Sequence, residues 1–202
     1  MRLGVFGGSF DPVHYAHLLM AESCREQRQL DRVVFVPSAA PPHKRDQELT
    51  SAESRLAMLE LAIAGHEPFT VSRCEVDRAG VNYTVDTLRH FRAEHPEAEL
   101  FFVLGADMLL DLPTWREVGQ VCELATIVAV RRAGVAEPDF DGLNGAVRPE
   151  RIQRFREHQV EMPALGLSST EIRRRIAAGR SIRYMTPRAV EKYIETHGLY
   201  RL

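Results

Sequence analysis

The sequence predicts an α/β protein, a parallel sheet with helices on both faces, followed by a small helical part at its C-terminal end. Two observations carry this. Short apolar runs, several of them rich in β-branched residues, recur at residues 3–6, 32–37, 100–104 and 125–130, as in strands covered on both sides. Stretches of helical character separate these runs, and a parallel pairing needs a crossover of that kind.

The first strand (Leu3, Val5, Phe6) runs into Gly7 and Gly8, which remove side chains where the chain must turn or something must approach the backbone. Asp11 and Pro12 then predict a helix start, Asp11 as N-cap and Pro12 at the first helical position, with the helix over about residues 13–29. His14 and His17, three apart, fall on one face, one turn apart, just inside the helix N-terminus. That end favours anions, so a polyphosphate site is one reading. The other is a metal held by the histidines with Asp11; no other His or Cys cluster has ligand spacing. A carboxylate beside a phosphate repels it, so Asp11 is expected to point inward and cap the helix.

Residues 32–37 read as a buried strand closed by proline. Pro41-Pro42 forbids a helix and predicts an exposed loop carrying His43, Lys44 and Arg45. This is either a solvated loop or, at the carboxyl end of a second parallel strand, part of a ligand rim. A helix is predicted over residues 51–64 with Ser51 and Ser54 as capping candidates, a strand at 69–71, a loop over 78–82, and a helix from Tyr83-Thr84 to about His95. The central strand 100–104 ends in Gly105-Ala106-Asp107, where Asp107 either accepts ribose hydroxyls or caps the helix of residues 108–112. Trp115, the only tryptophan, is either core or a loop ring that stacks on a flat heterocycle. Residues 133–149 lack periodicity and read as a connection, followed by a helix at about 150–158 and a weak strand at 160–165. Ser168 with Glu171 forms a capping box opening a helix to about Ala178, stopped by Gly179. Ser168, Ser169 and Thr170, with Arg173 one turn in, make a second anion-binding mouth or simply a capped helix bearing a surface charge.

The chain of 202 residues is long enough for a substantial core, and it reads as one domain over residues 1–202, with a core over about 1–165 and a helical segment over about 166–202. A net charge of −2 without a basic block argues against duplex nucleic acid as the main partner. Cys24, Cys74 and Cys122, odd in number and scattered, suggest neither a disulfide framework nor a metal site, and point to the reducing cytoplasm. No stretch has signal-peptide character or spanning length, so no membrane is expected. The oligomeric state is left open, a homo-oligomer included.

The stretch GGSFDPVHYAH (residues 7–17) resembles the GG-x-FDP-x-H-x-x-H signature of nucleotidyltransferases with a HIGH-type motif, with Ala16 in place of the usual glycine. Residues 167–173, LSSTEIR, resemble the ISSTxIR motif paired with it, with Leu167 for isoleucine. Pro41-Pro42-His43-Lys44, Tyr83-Thr84, Gly105-x-Asp107, Pro113-Thr114-Trp115 and residues 193–200 are similar to the bacterial nicotinate-mononucleotide adenylyltransferases. The resemblance is weakest over residues 133–165. It implies a Rossmann-like fold and transfer of AMP from ATP to nicotinate mononucleotide, giving deamido-NAD and pyrophosphate. It further implies that His14, His17 and Arg173 are catalytic and that Gly7, Gly8, Ser9, Phe10, Gly105, Asp107, Ser168 and Thr170 bind ATP. His43, Lys44, Tyr83, Thr84 and Trp115 would receive the mononucleotide. Mg²⁺ is implied with ATP as co-substrate, held mainly by ATP and water rather than by a protein cage. The rivals are a related transferase acting on phosphopantetheine or a sugar-alcohol phosphate, and a non-catalytic pyridine-nucleotide sensor.

Overall fold

The computed structural model describes residues 1–39, 49–78 and 81–201. Among these, the strands β1 (Arg2–Gly8), β2 (Arg32–Pro37), β3 (Phe69–Val71), β4 (Glu99–Gly105), β5 (Thr126–Arg132) and β6 (Val160–Met162) form one sheet. All pairs are parallel, in the order β3-β2-β1-β4-β5-β6. The chain winds outward from the centre twice, so the order reverses between β1 and β4. Such sheets bind ligands in the crevice outside the carboxyl ends of the strands at that switch point.

The pleat divides the core. Leu3 and Val5 of β1 and Leu100, Phe102 and Leu104 of β4 face one layer, built by α3 (Thr84–Glu94), α4 (Val118–Leu124) and α5 (Pro149–Glu157). Phe6, Phe101 and Val103 face the other, built by α1 (Tyr15–Gln27), α2 (Ala52–Ile63), α6 (Ser169–Ala177) and α7 (Arg188–His197). The predicted strands at 32–37 and 69–71 match β2 and β3, and Ser51 caps α2 by accepting the N–H of Ser54. The C-terminal helices are not an appendage: Ile172, Ile182, Val190 and Ile194 enter the same cluster as Phe6 and Val103, and α7 packs against α2.

Three local expectations change. The first helix begins at Tyr15 with His14 as N-cap, so Asp11 is not the cap and Pro12 is not the first helical residue. Asp11 does point inward, but its carboxylate is engaged by other donors. The segment after Gly105 is a 3-10 turn (Ala106–Leu110) that receives no side-chain cap, so Asp107 does not cap it. Finally α4 escaped the periodicity reading, because it has only seven residues, includes Gly119, and starts from Glu117 with a left-handed backbone (φ 52°).

The turn after β1 is made by an unexpected residue. Gly8 is not in the left-handed region; Phe10 is, at φ 45°, a strained conformation for an aromatic residue. The Phe10 ring is buried and covers Gly8, where an added Cβ would lie 2.9 Å from Cζ. At Gly7 the nearest atom is 3.8 Å away. Gly8→Ala is therefore expected to destabilise the fold by about 1–3 kcal/mol and Gly7→Ala by less than about 1 kcal/mol, measured by urea unfolding. Equal effects would show that the ring does not constrain Gly8.

Candidate active site

The site grows from the carboxyl end of β1. Phe10 is wedged edge-on against Phe6, Phe35 and His17, with ring centroids 5.3, 5.6 and 5.1 Å away. The core therefore occupies its side chain, and only its main chain is left for a ligand. Asp11 follows in a turn through a cis Asp11–Pro12 bond and is 1% exposed. Its Oδ1 accepts the Tyr200 hydroxyl at 2.6 Å and its Oδ2 the Thr50 N–H at 3.2 Å.

His14 and His17 come together as the one-turn spacing predicts. Their rings stack, centroids 3.7 Å apart and 15° between planes. The N–H of His14 donates to His17 Nδ1 at 3.3 Å, which in the neutral ring leaves the proton on Nε2, a donor. His14 is 4% exposed, and its Nδ1 has no hydrogen-bond partner among the described residues. Burial holds its pKa down to about 4, with the charge of Arg132, at the end of β5, acting in the same direction. His14 is thus neutral at pH 7, and an anion arriving beside it would favour its protonation. Asp11, the third ligand of the alternative metal reading, turns its carboxylate to the Tyr200 hydroxyl and the Thr50 N–H.

The C-terminal segment closes over this turn. The Arg173 guanidinium donates to the Asp11 carbonyl at 2.6 Å, Ser169 Oγ to the Pro12 carbonyl at 2.9 Å, and Thr186 Oγ1 to the Val13 carbonyl at 2.7 Å. The N–H of Tyr15 donates to the Met185 carbonyl at 3.2 Å. The N-terminus of α6 therefore sits beside the histidine pair. Ser168 caps α6, its Oγ accepting the Glu171 N–H at 3.2 Å. The reciprocal half of the expected capping box is not made, because the Glu171 carboxylate pairs with Arg174 instead. Ser168 and Thr170 are exposed, and Arg173 is half-buried.

On the opposite layer of the sheet lie the other predicted residues. Trp115 is partly buried and packs edge-on against Phe102 (centroids 6.0 Å apart, 76° between planes), so it serves the core as well as a loop. Tyr83 is the N-cap of α3, which receives no side-chain cap, and the Arg116 guanidinium lies 4.7 Å over its ring. Gly105 ends β4, and the Asp107 carboxylate folds back over it: an added Cβ there would be 2.5 Å from Asp107 Oδ1. The turn preceding α3 is braced by Glu75, a buried carboxyl that accepts the Thr87 hydroxyl at 2.6 Å and whose pKa burial pushes up. His43 and Lys44 lie outside the described residues.

Arg55 was missed. It is 1% exposed, and its guanidinium binds three carbonyls: Ser9 and Ser38 through Nη1 (2.9 and 2.7 Å) and Thr50 through Nε (2.9 Å). The available signal was an arginine on the apolar stripe of α2, in register with Met58, Leu59 and Ala62.

The depressed pKa of His14 makes stability depend on pH. Between about 4 and 6.5 the unfolded chain binds a proton that the folded chain does not, so stability present above pH 6.5 is lost as pH falls toward 4. The loss from this group is about 3 kcal/mol. Urea unfolding across this window is expected to show a shallower slope for His14→Asn, and NMR titration should find His14 still neutral at pH 5.5. A titration midpoint near 6.5 would refute its burial as a neutral ring.

Known proteins resemble this chain over its full length. Residues 5–175 match the family model described as cytidylyltransferase-like. A protein of Thermus thermophilus named probable nicotinate-nucleotide adenylyltransferase is 51% identical over 201 residues, covering all of both chains. One of the same name from Thermomicrobium roseum is 46% identical, covering 99% of this chain and 92% of its own. Among solved structures, the Plasmodium falciparum nicotinic acid mononucleotide adenylyltransferase complexed with NaAD superposes with a TM-score of 0.77 at 19% identity, over 98% of this chain and 97% of that one, a likeness of fold. With its doubly wound sheet, its paired histidines at the switch point and full-length relatives at this identity, the chain belongs to the cytidylyltransferase-like family and, within it, to the nicotinate-nucleotide adenylyltransferases.

Proposed function

We infer that this chain transfers AMP from ATP to the 5′-phosphate of nicotinate mononucleotide. An oxygen of the mononucleotide phosphate forms a bond to the α-phosphorus of ATP, and the bond from that phosphorus to the bridging oxygen breaks. Pyrophosphate leaves with the bond's electron pair, and nicotinate adenine dinucleotide remains. The nucleophile is already ionised at neutral pH, so the chain needs no base. It needs alignment and neutralisation of the charge that moves onto the leaving group. The observation that carries this reading is the seating of α6 on the turn after β1, with Arg173 and Ser169 bonded to the carbonyls of Asp11 and Pro12 beside the stacked histidines.

In this reading His17, with Nε2 as donor, and His14, protonated as the anion arrives, hold the triphosphate with the main chain of Gly7, Gly8, Ser9 and Phe10. Ser168, Thr170 and Arg173 grip its far end. Gly105 and Asp107 meet the ATP ribose, and the absence of a side chain at Gly105 lets the Asp107 carboxylate fold back over the end of β4. Tyr83 and Thr84 present the uncapped N-terminus of α3 to the nicotinate carboxylate, and the exposed part of Trp115 stacks the pyridine ring. His43 and Lys44 complete the mononucleotide side. Amide donors aimed at a carboxylate favour the acid over the amide substrate, whose NH₂ would oppose them. A Mg²⁺ arriving with ATP would need few ligands from the chain and would supply further neutralisation of the leaving group. The free cysteines support a reducing, cytoplasmic setting.

Pyrophosphate release with a panel of acceptor phosphates tests the reaction. Nicotinate mononucleotide is expected to be the preferred acceptor, and a preference for phosphopantetheine or a sugar-alcohol phosphate would overturn the assignment. His17→Ala and Arg173→Ala are each expected to lower kcat/KM by more than about tenfold, or about 1.4 kcal/mol; a smaller loss removes that residue from the site. Trp115→Ala should raise KM for the mononucleotide far more than KM for ATP, and equal effects would leave Trp115 as core alone.

A further inference from the structure

The tail after α7 reaches the site by a route that the proposed reaction does not use. Gly198 ends α7 with a left-handed backbone, and Tyr200 adopts the same region at φ 63°, strained for an aromatic residue. This double turn brings the Tyr200 ring back onto the layer holding Phe6 and Phe10 and aims its hydroxyl at Asp11 Oδ1, 2.6 Å away. Burial and the Asp11 carboxylate both push the phenol's pKa up, so it remains a donor at any working pH.

Asp11 is the hub of this arrangement. Its carboxylate takes Tyr200 on one oxygen and the Thr50 N–H on the other, and its main-chain carbonyl takes Arg173. Arg55, whose guanidinium binds the Thr50 carbonyl, supplies a neighbouring positive charge. A buried carboxylate under a phosphate-binding turn would repel the triphosphate unless its charge were taken up by donors, and Tyr200 is one of those donors.

We propose that Tyr200 is a positioning residue for the triphosphate side of the site: its hydroxyl fixes Asp11, and Asp11 in turn fixes the carbonyl on which Arg173 is seated. The proposal rests on the functional reading above. A tail that only packed would contribute stability without affecting how Arg173 meets a ligand. A tail that positions Arg173 changes ATP handling while leaving the mononucleotide side untouched.

The test is steady-state kinetics of Tyr200→Phe and Asp11→Ala, which remove the donor and the acceptor of the link, at a temperature where unfolding measurements show each variant fully folded. Leu199→Ala, which perturbs the same tail without a polar link to Asp11, is the control. Both link variants are expected to lower kcat/KM for ATP by about five- to tenfold with KM for the mononucleotide within about twofold of wild type, whereas Leu199→Ala lowers Tm alone. Affinity for a non-hydrolysable ATP analogue should fall for Tyr200→Phe in the wild-type background but by less than about twofold in the Arg173→Ala background. Tyr200→Phe or Asp11→Ala with wild-type ATP constants, or equal losses of analogue affinity with and without Arg173, would overturn the proposal. Absence of AMP transfer by the wild-type protein would instead sink the functional reading beneath it.

Discussion

The hydrogen bond from the Arg173 guanidinium to the Asp11 carbonyl joins residues 162 positions apart, and the site depends on it. The turn between β1 and α1 has neither a strand nor a helix partner for its carbonyls, and buried main-chain groups must be satisfied. Arg173, Ser169 and Thr186 satisfy those of Asp11, Pro12 and Val13 in succession. The donors that complete this backbone also bring a cation and the start of a helix next to two histidines. Local backbone accounting and assembly of the proposed triphosphate site are thus met by the same contacts.

Rigidity follows from the same region. Phe10 holds a left-handed backbone because its ring is enclosed by Phe6, Phe35 and His17 and fills the space over Gly8. Arg55 binds three carbonyls from three separate segments, the arrangement that makes a buried guanidinium tolerable. Donors aimed at a developing charge are most effective when they need not reorganise, and a turn held in this way is already organised. His14 contributes differently: burial keeps it neutral, and in the proposed reaction its charge would be a consequence of binding.

The sheet separates the two ends of the proposed reaction. The histidines and α6 lie on the layer of α1 and α2, while Trp115 and the start of α3 lie on the other. The proposed chemistry would fall between them, where β1 and β4 are neighbours and the strand order reverses.

The strands β1, β2, β4 and β5 were legible in the sequence, since a strand covered on both faces must be apolar along its length, while the short edge strands β3 and β6 carried a weaker signal; the two motifs were legible with their spacing, since a one-turn separation on a helix start is a local property. The His14–His17 stack and the Ser168 cap were legible for that reason. Long-range packing settled that His14 rather than Asp11 takes the N-cap position of α1, that Asp11 belongs to Tyr200, Thr50 and Arg173, and that Arg55 is a buried brace. Each of these rests on bonds to irregular backbone or across distant segments, and such bonds impose no period on the chain. Whether a polar side chain caps, faces solvent or crosses the core depends on which donor folding brings to it.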